Sequence, residues 1–244
     1  MMNKPTLVFM VIFSIGGLLV NPASALNTVV KSPIGTRIDV GDFLIDATET
    51  TIGQFADYTV KRNIQTAAER EGGGFEYGSG WERRPGWTYK TPFGQPAGSD
   101  EPAVHLSWYE AKAYCENAGG NLPTQTQWKL AAYTETRQTP PAPFETNRTY
   151  AFPTGASPAG ANIAGPADGW ERHAPAARTP PGVNGLHDMG ANVWEWLADS
   201  RGNERLTAGG SWWYDASKMR ADGMQFKAAN FYAVYVGFRC IYKK

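Results

Sequence analysis

The 244-residue sequence predicts an α+β domain in which a few short helices and short strands are wrapped in long ordered loops. Composition is one reason. Gly 27 and Pro 17, set beside modest aliphatic content, suit irregular ordered backbone better than a regular sandwich or bundle. The second reason is pattern: three complete helix starts are separated by runs that suit only short strands. Nine tryptophans must supply much of the burial. With 23 basic and 23 acidic residues the formal net charge is zero, which argues against a nucleic-acid partner.

At the N-terminus, Lys4 precedes an apolar run from Leu7 to Val20 and then Ala23-Ser24-Ala25, the small-x-small pattern of a signal-peptidase site. Residues 1–25 therefore read as a signal peptide, with mature protein beginning at Leu26. A retained membrane anchor is the alternative. Against it, the run is short, is broken by Ser14-Ile15-Gly16-Gly17 and is followed at once by Asn21-Pro22. No Cys lies near the cleavage point to carry a lipid, and no later segment is apolar enough to span a bilayer. The expected product is soluble and exported, a single domain over residues 26–244.

Each helix start is a hydroxyl cap with Glu or Gln three residues on: Thr51 to Gln54, Ser107 to Glu110 and Thr124 to Gln127. In the second, Trp108, Ala111, Cys115 and Ala118 recur at helical spacing and Gly119-Gly120 supplies the stop. The third runs to about Tyr133 with Trp128, Ala131 and Ala132 as its apolar side. Between the first two lies a polar stretch from Glu71 to Glu101, whose Phe75, Tyr77, Trp81, Trp87 and Tyr89 predict an ordered loop. Pro-rich segments near 139–143 and 178–182 read as surface connections, since neither half has enough apolar pattern to fold alone. Strands are expected at Arg37 to Ile45, Val193 to Leu197, Arg205 to Trp213 and Val236 to Tyr242, with His105 in another just before Ser107. There is no internal repeat.

Four blocks occur in order: Val104-His105-Leu106-Ser107-Trp108; Asn121 to Trp128; Gly185-Leu186-His187-Asp188-Met189-Gly190-Ala191-Asn192-Val193-Trp194-Glu195-Trp196; and Gly209-Gly210-Ser211-Trp212 with Gly237-Phe238-Arg239-Cys240. In these blocks the chain resembles the sulfatase-modifying factor (formylglycine-generating-enzyme-like) family from about Arg37 onward. The resemblance implies a C-type-lectin-like (formylglycine-generating-enzyme) fold, low in regular secondary structure.

The chain has two cysteines, 115 and 240, and in an exported protein pairing is the default. The resemblance agrees, because both match positions that form a structural disulfide in the family. Closing a loop of 125 residues (240 − 115) would stabilise by about 4–5 kcal/mol on the chain-entropy model. A redox-active pair is the alternative, but only Arg239 offers a nearby positive charge. In the catalytic members two further cysteines bind copper; Tyr214 and Met219 stand in their places here. A phenol and a thioether substitute poorly for two thiolates, so no copper is expected. Ser211 of that motif is retained and, without a base in view, reads as structural. The iron branch uses a His-rich set. With only His105, His173 and His187, and no i, i+4 pair, no iron is expected either.

The resemblance further implies two calcium ions. One loop would offer Asn162, the Ile163 carbonyl, Asp168 and the Trp170 carbonyl. The other would offer Asp188 and Glu195 as carboxylates with the carbonyls of Ala191 and Val193. Such oxygen sets suit calcium, although Asn and Asp can also simply cap turns. Ala191 stands where the family has Gly, which would strain a loop that needs positive φ.

Kept scaffold and lost thiolates suit a non-catalytic periplasmic regulatory or binding protein. In length, signal peptide, lost cysteines and disulfide the chain resembles exported non-catalytic members of the family. That resemblance implies a role upstream of a threonine-kinase pathway controlling type VI secretion, with the periplasmic part of a membrane kinase or an outer-membrane lipoprotein as partner. The alternative is a periplasmic oxidoreductase maturing a pyoverdine-type siderophore chromophore, in which the aromatic stretch from Phe75 to Tyr89, with Arg83 and Arg84, lines a cleft for a planar substrate.

Overall fold

In a computed structural model, residues 32–165 and 168–244 are described; the expected signal segment 1–25 and the start at Leu26 lie outside them. The first described elements are two strands where the sequence predicted one. β1 (Arg37–Asp39) pairs antiparallel with β2 (Phe43–Asp46). Gly41, at φ 94, reverses the chain, and its N–H is held by the Asp39 carboxylate at 2.9 Å. The other edge of β2 takes β9 (Ile241–Lys243), so both ends of the described domain share one sheet of order β1-β2-β9.

The three predicted capping boxes are present. Thr51 starts α1 (Ile52–Arg62), which ends at Asn63 in the left-handed region. A fourth box, Thr66 with Glu69, starts a four-residue helix that the sequence reading missed, α2 (Ala67–Arg70). Ser107 starts α3 (Trp108–Asn117) and Thr124 starts α4 (Gln125–Tyr133). The buried side of α4 is Trp128, Ala131 and Ala132, as its spacing predicted. The Glu110 carboxylate closes the α3 box and also accepts the Ala67 N–H at 2.6 Å, tying the start of α2 to that of α3.

The stretch from Glu71 to Glu101 is more regular than expected. It opens with a hairpin, β3 (Gly73–Tyr77) and β4 (Trp81–Pro85), turned at 78–80. The largest sheet has the order β7-β6-β5-β8, built from β5 (Trp194–Arg201), β6 (Glu204–Ala208), β7 (Gln225–Ala228) and β8 (Val236–Gly237), with β8 parallel to β5. β6 stops at Ala208 rather than Trp213 because Gly209 and Gly210 take φ 93 and 78, which no strand can follow. His105 is not in a strand. It has φ 56, its Nε2 lies 2.9 Å from the Pro92 carbonyl, and burial lowers its pKa to about 4.

The core is aromatic, as nine tryptophans required. Trp128, Trp194 and Trp196 are fully buried, and the Trp196 indole donates to the Leu106 carbonyl at 3.0 Å. Cys115 on α3 is bonded to Cys240 just before β9, with Cα atoms 5.5 Å apart. This bond fastens the C-terminal sheet to the helix. No helix among the described residues is long and apolar enough to cross a membrane.

Candidate functional site

The Gly-Gly turn after β6 delivers Ser211 into the interior, where it is 1% exposed and its Oγ accepts the Trp213 N–H at 3.4 Å. Beyond it, Tyr214 and Met219 go to different places. Tyr214 is half-buried, edge-on to Trp194 at 5.6 Å and to Tyr235 at 6.4 Å, and burial raises its phenol pKa. Met219 is fully buried against Ala161 and Ala191, and its carbonyl accepts the Tyr133 hydroxyl at 2.7 Å. Gly190 admits it closely: a Cβ there would sit 2.8 Å from the Met219 Cε. Tyr214 and Met219, which the resemblance places where copper ligands would be, are thus packing groups in separate clusters, and a phenol and a thioether so engaged do not fit a copper site. The histidines are engaged separately: His173 Nε2 on Glu101 at 2.8 Å, His187 Nδ1 on the Thr179 carbonyl at 3.1 Å, and His105 on Pro92. Among the described residues no three His, Cys, Asp or Glu side chains converge as a metal-binding group.

The first oxygen-rich loop fits a cation. The Asp168 carboxylate accepts the Ile163 and Trp170 N–H groups, each at 2.9 Å, and folds the loop onto itself. Asn162 is buried. Its Nδ2 donates to the Arg172 carbonyl and to Asn192 Oδ1, each at 2.9 Å, while its Oδ1 has no partner. A buried acceptor without a donor is costly, and a hard cation held with the Ile163 and Trp170 carbonyls would satisfy it.

In the second loop the donors are already occupied. Asp188 accepts from Thr179 Oγ1 at 2.5 Å and from Ala177 N at 3.2 Å. Glu195 accepts from the Trp128 indole at 2.7 Å and pairs with the Arg239 guanidinium at 2.7 Å. Glu195, expected as a calcium carboxylate, is thus also one half of a buried ion pair with Arg239. Asp188, Ala191 and Asn192 all have left-handed backbone, at φ 56, 69 and 51, so the methyl of Ala191 sits where Gly would be unstrained. Val193 is buried beside them, and its N–H donates to Glu49 at 3.2 Å.

Glu49 was not identified from sequence. Fully buried, it accepts from Asn192 Nδ2 at 2.8 Å. Burial, then the Asp188 and Glu195 charges, hold its pKa well above the usual carboxylate range. Three buried carboxylates thus face one guanidinium. The excess negative charge must be met by protons or by a cation.

The stretch from Phe75 to Tyr89 does not line one continuous cleft: Phe75 and Arg83 border one cavity and Trp81 another. Tyr89 is fully buried, Phe75 lies under the Arg83 guanidinium at 4.6 Å, and Trp87 packs edge-on to Phe93 at 5.7 Å. Arg83 is bonded to Glu71 at 2.6 Å and Arg84 to Glu76 at 2.8 Å, so neither guanidinium stands free. Only Tyr77 and Trp81 project, 45% and 48% exposed, beside Trp213 at 43%. They form an aromatic face next to Tyr214 and Tyr235.

Known proteins share this architecture. A family model for the sulfatase-modifying factor enzyme 1-like domain matches residues 10–244. The inactive C-alpha-formylglycine-generating enzyme 2 of Mus musculus is 30% identical over 209 residues, covering 74% of this chain and 67% of its own length. The formylglycine-generating enzyme of Thermomonospora curvata is 26% identical over 267 residues, covering 86% and 84%. Among solved structures, PvdO from Pseudomonas aeruginosa aligns with a TM-score of 0.62 at 18% identity over 83% of this chain and 80% of that one. CarF aligns at 0.57 and 19% over 86% and 94%. These structural likenesses establish the fold, the C-type-lectin-like α+β architecture expected from the sequence.

Proposed function

The chain belongs to the sulfatase-modifying factor family, and from that membership we propose that it is an exported, non-catalytic binding protein of the periplasm. Its role is regulatory, upstream of a threonine-kinase pathway controlling type VI secretion. The observation that carries this reading is the dispersal of the two thiolate positions. Tyr214 packs against Trp194 and Tyr235, and Met219 against Ala161 and Ala191. A fold that keeps its disulfide and its oxygen-rich loops without those ligands is kept for its surface. Calcium is held by Asn162, Asp168 and the carbonyls of Ile163 and Trp170, and by Asp188 and Glu195 with the carbonyls of Ala191 and Val193. The ion supplies charge and cross-links loops; it does no chemistry.

The experiment is capture by the purified protein of periplasmic domains of inner-membrane kinases and of outer-membrane lipoproteins. Saturable binding to one of them supports the reading; binding to neither ends it. The exposed aromatic face of Tyr77, Trp81 and Trp213 favours a second reading, maturation of a planar siderophore chromophore. A deletion strain that still completes its siderophore removes that alternative.

A further inference from the structure

Beside Tyr214, between the β3–β4 hairpin and β7, lies a cavity of about 320 Å³ lined by Trp81, Tyr214, Phe226, Phe231, Tyr235 and Lys227. Trp81 stands edge-on to Phe231 at 4.7 Å and tilted to Tyr235 at 5.8 Å, which makes one wall aromatic. The volume is at the lower end of small-molecule sites, room for about one bicyclic ring.

The polar side chains lining this cavity are Lys227, Gln225, Glu204 and the hydroxyls of Tyr214 and Tyr235. Lys227 Nζ lies 4.3 Å over the Trp194 ring and donates to Gln225 Oε1 at 3.2 Å. No carboxylate among the described residues is within ion-pair distance of it. Glu204, the acid on the rim, is bonded to Arg201 at 2.7 Å, and Glu76, near Tyr235, to Arg84 at 2.8 Å. The other charges facing Lys227 are positive: Arg205 is its cross-strand partner on β6, and Lys218 lies near enough to disfavour its charge. An ammonium without a carboxylate partner, at the edge of an aromatic slot, suits an anionic acceptor carried on a flat apolar body.

We propose that this cavity binds a planar aromatic carboxylate, with Lys227 receiving the carboxylate and Trp81, Phe231 and Tyr235 holding the ring. The proposal is independent of the kinase reading and of copper chemistry. Burial, then the Lys218 charge, lowers the Lys227 pKa to about 7. An incoming anion favours the ammonium, so binding takes up a proton as pH rises past neutrality.

The test is calorimetric titration of the purified protein with 2-naphthoate, with 2-naphthamide as the uncharged control. Expected are saturable binding of the acid, weak or absent binding of the amide, and affinity falling by about tenfold per pH unit between pH 7 and 9. Lys227→Met should lose about tenfold to hundredfold in affinity. Lys227→Arg should keep binding yet lose the pH dependence, because its charge is permanent; melting curves establish that both variants fold. No binding of naphthoate, equal binding of the amide, unchanged affinity in Lys227→Met, or a pH-independent affinity in the parent would each overturn the proposal.

Discussion

Asp46 ends β2 with its carboxylate inside the protein, accepting the Cys240 N–H and the Tyr242 hydroxyl, each at 3.2 Å. Burial outweighs these bonds and the nearby Arg239 and Arg37 charges, and raises its pKa to about 6. Because the folded state holds this proton longer than the unfolded chain, the stability it gives is complete below about pH 4 and is lost as pH rises to about 6. Buried His105 has the opposite sign: its neutral form is favoured, and stability is lost as pH falls from about 6.5 toward 4. The two slopes oppose each other across the same window. Asp46→Asn should therefore gain about 1–3 kcal/mol above pH 6, gain little below pH 4, and steepen the loss on acidification. Denaturant titrations at a series of pH values measure this, and a variant with the parent's slope would refute it. Neither residue announces this in sequence, and Glu49 and Lys227 do not either. An acid or a lysine looks solvated until distant segments close over it, and those closures come from tertiary contacts that no local pattern records.

Among the elements, capping boxes were the clearest local signal, since Thr51, Ser107 and Thr124 each act through a Glu or Gln at fixed spacing. Thr66-Ala67-Ala68-Glu69 carries the same signal and went unread because its helix is only four residues long. The β3–β4 hairpin was hidden for another reason. Its strands, Gly-Gly-Phe-Glu-Tyr and Trp-Glu-Arg-Arg-Pro, lack apolar alternation, and cross-strand contacts such as Tyr77 on Trp81 and Arg84 on Glu76 support it. The boxes are also unequal. Gln127 serves its own cap, whereas Glu110 also holds the first amide of α2. Glu110→Ala should cost about 1.5–3 kcal/mol against about 0.5–1 for Gln127→Ala. Equal losses in urea unfolding would show that the link to α2 contributes nothing.

At the scale of the molecule, the Cys115–Cys240 bond and the β1-β2-β9 sheet join the ends of the described domain, and the sequence motifs already indicated the fold and this pairing. Asn162, Asp168, Asp188 and Glu195 were singled out through the family resemblance, and nothing in the sequence indicated that Glu195 is held by Arg239. Calcium is predicted to stabilise the whole fold. Chelation should lower the melting temperature by several degrees, as loss of a ligand worth about 2–4 kcal/mol does in a domain of this size. Asn162→Ala should lose part of that shift, and an unchanged Tm in the parent would mean that neither loop holds the ion. The central claim, a family scaffold without the family's copper chemistry, is tested most directly by titrating the purified protein with Cu(I) against a chromophoric chelator. With Tyr214 among aromatic rings and Met219 in a separate buried cluster, the predicted result is no copper drawn from the chelator. Stoichiometric Cu(I) uptake by the parent protein would contradict it.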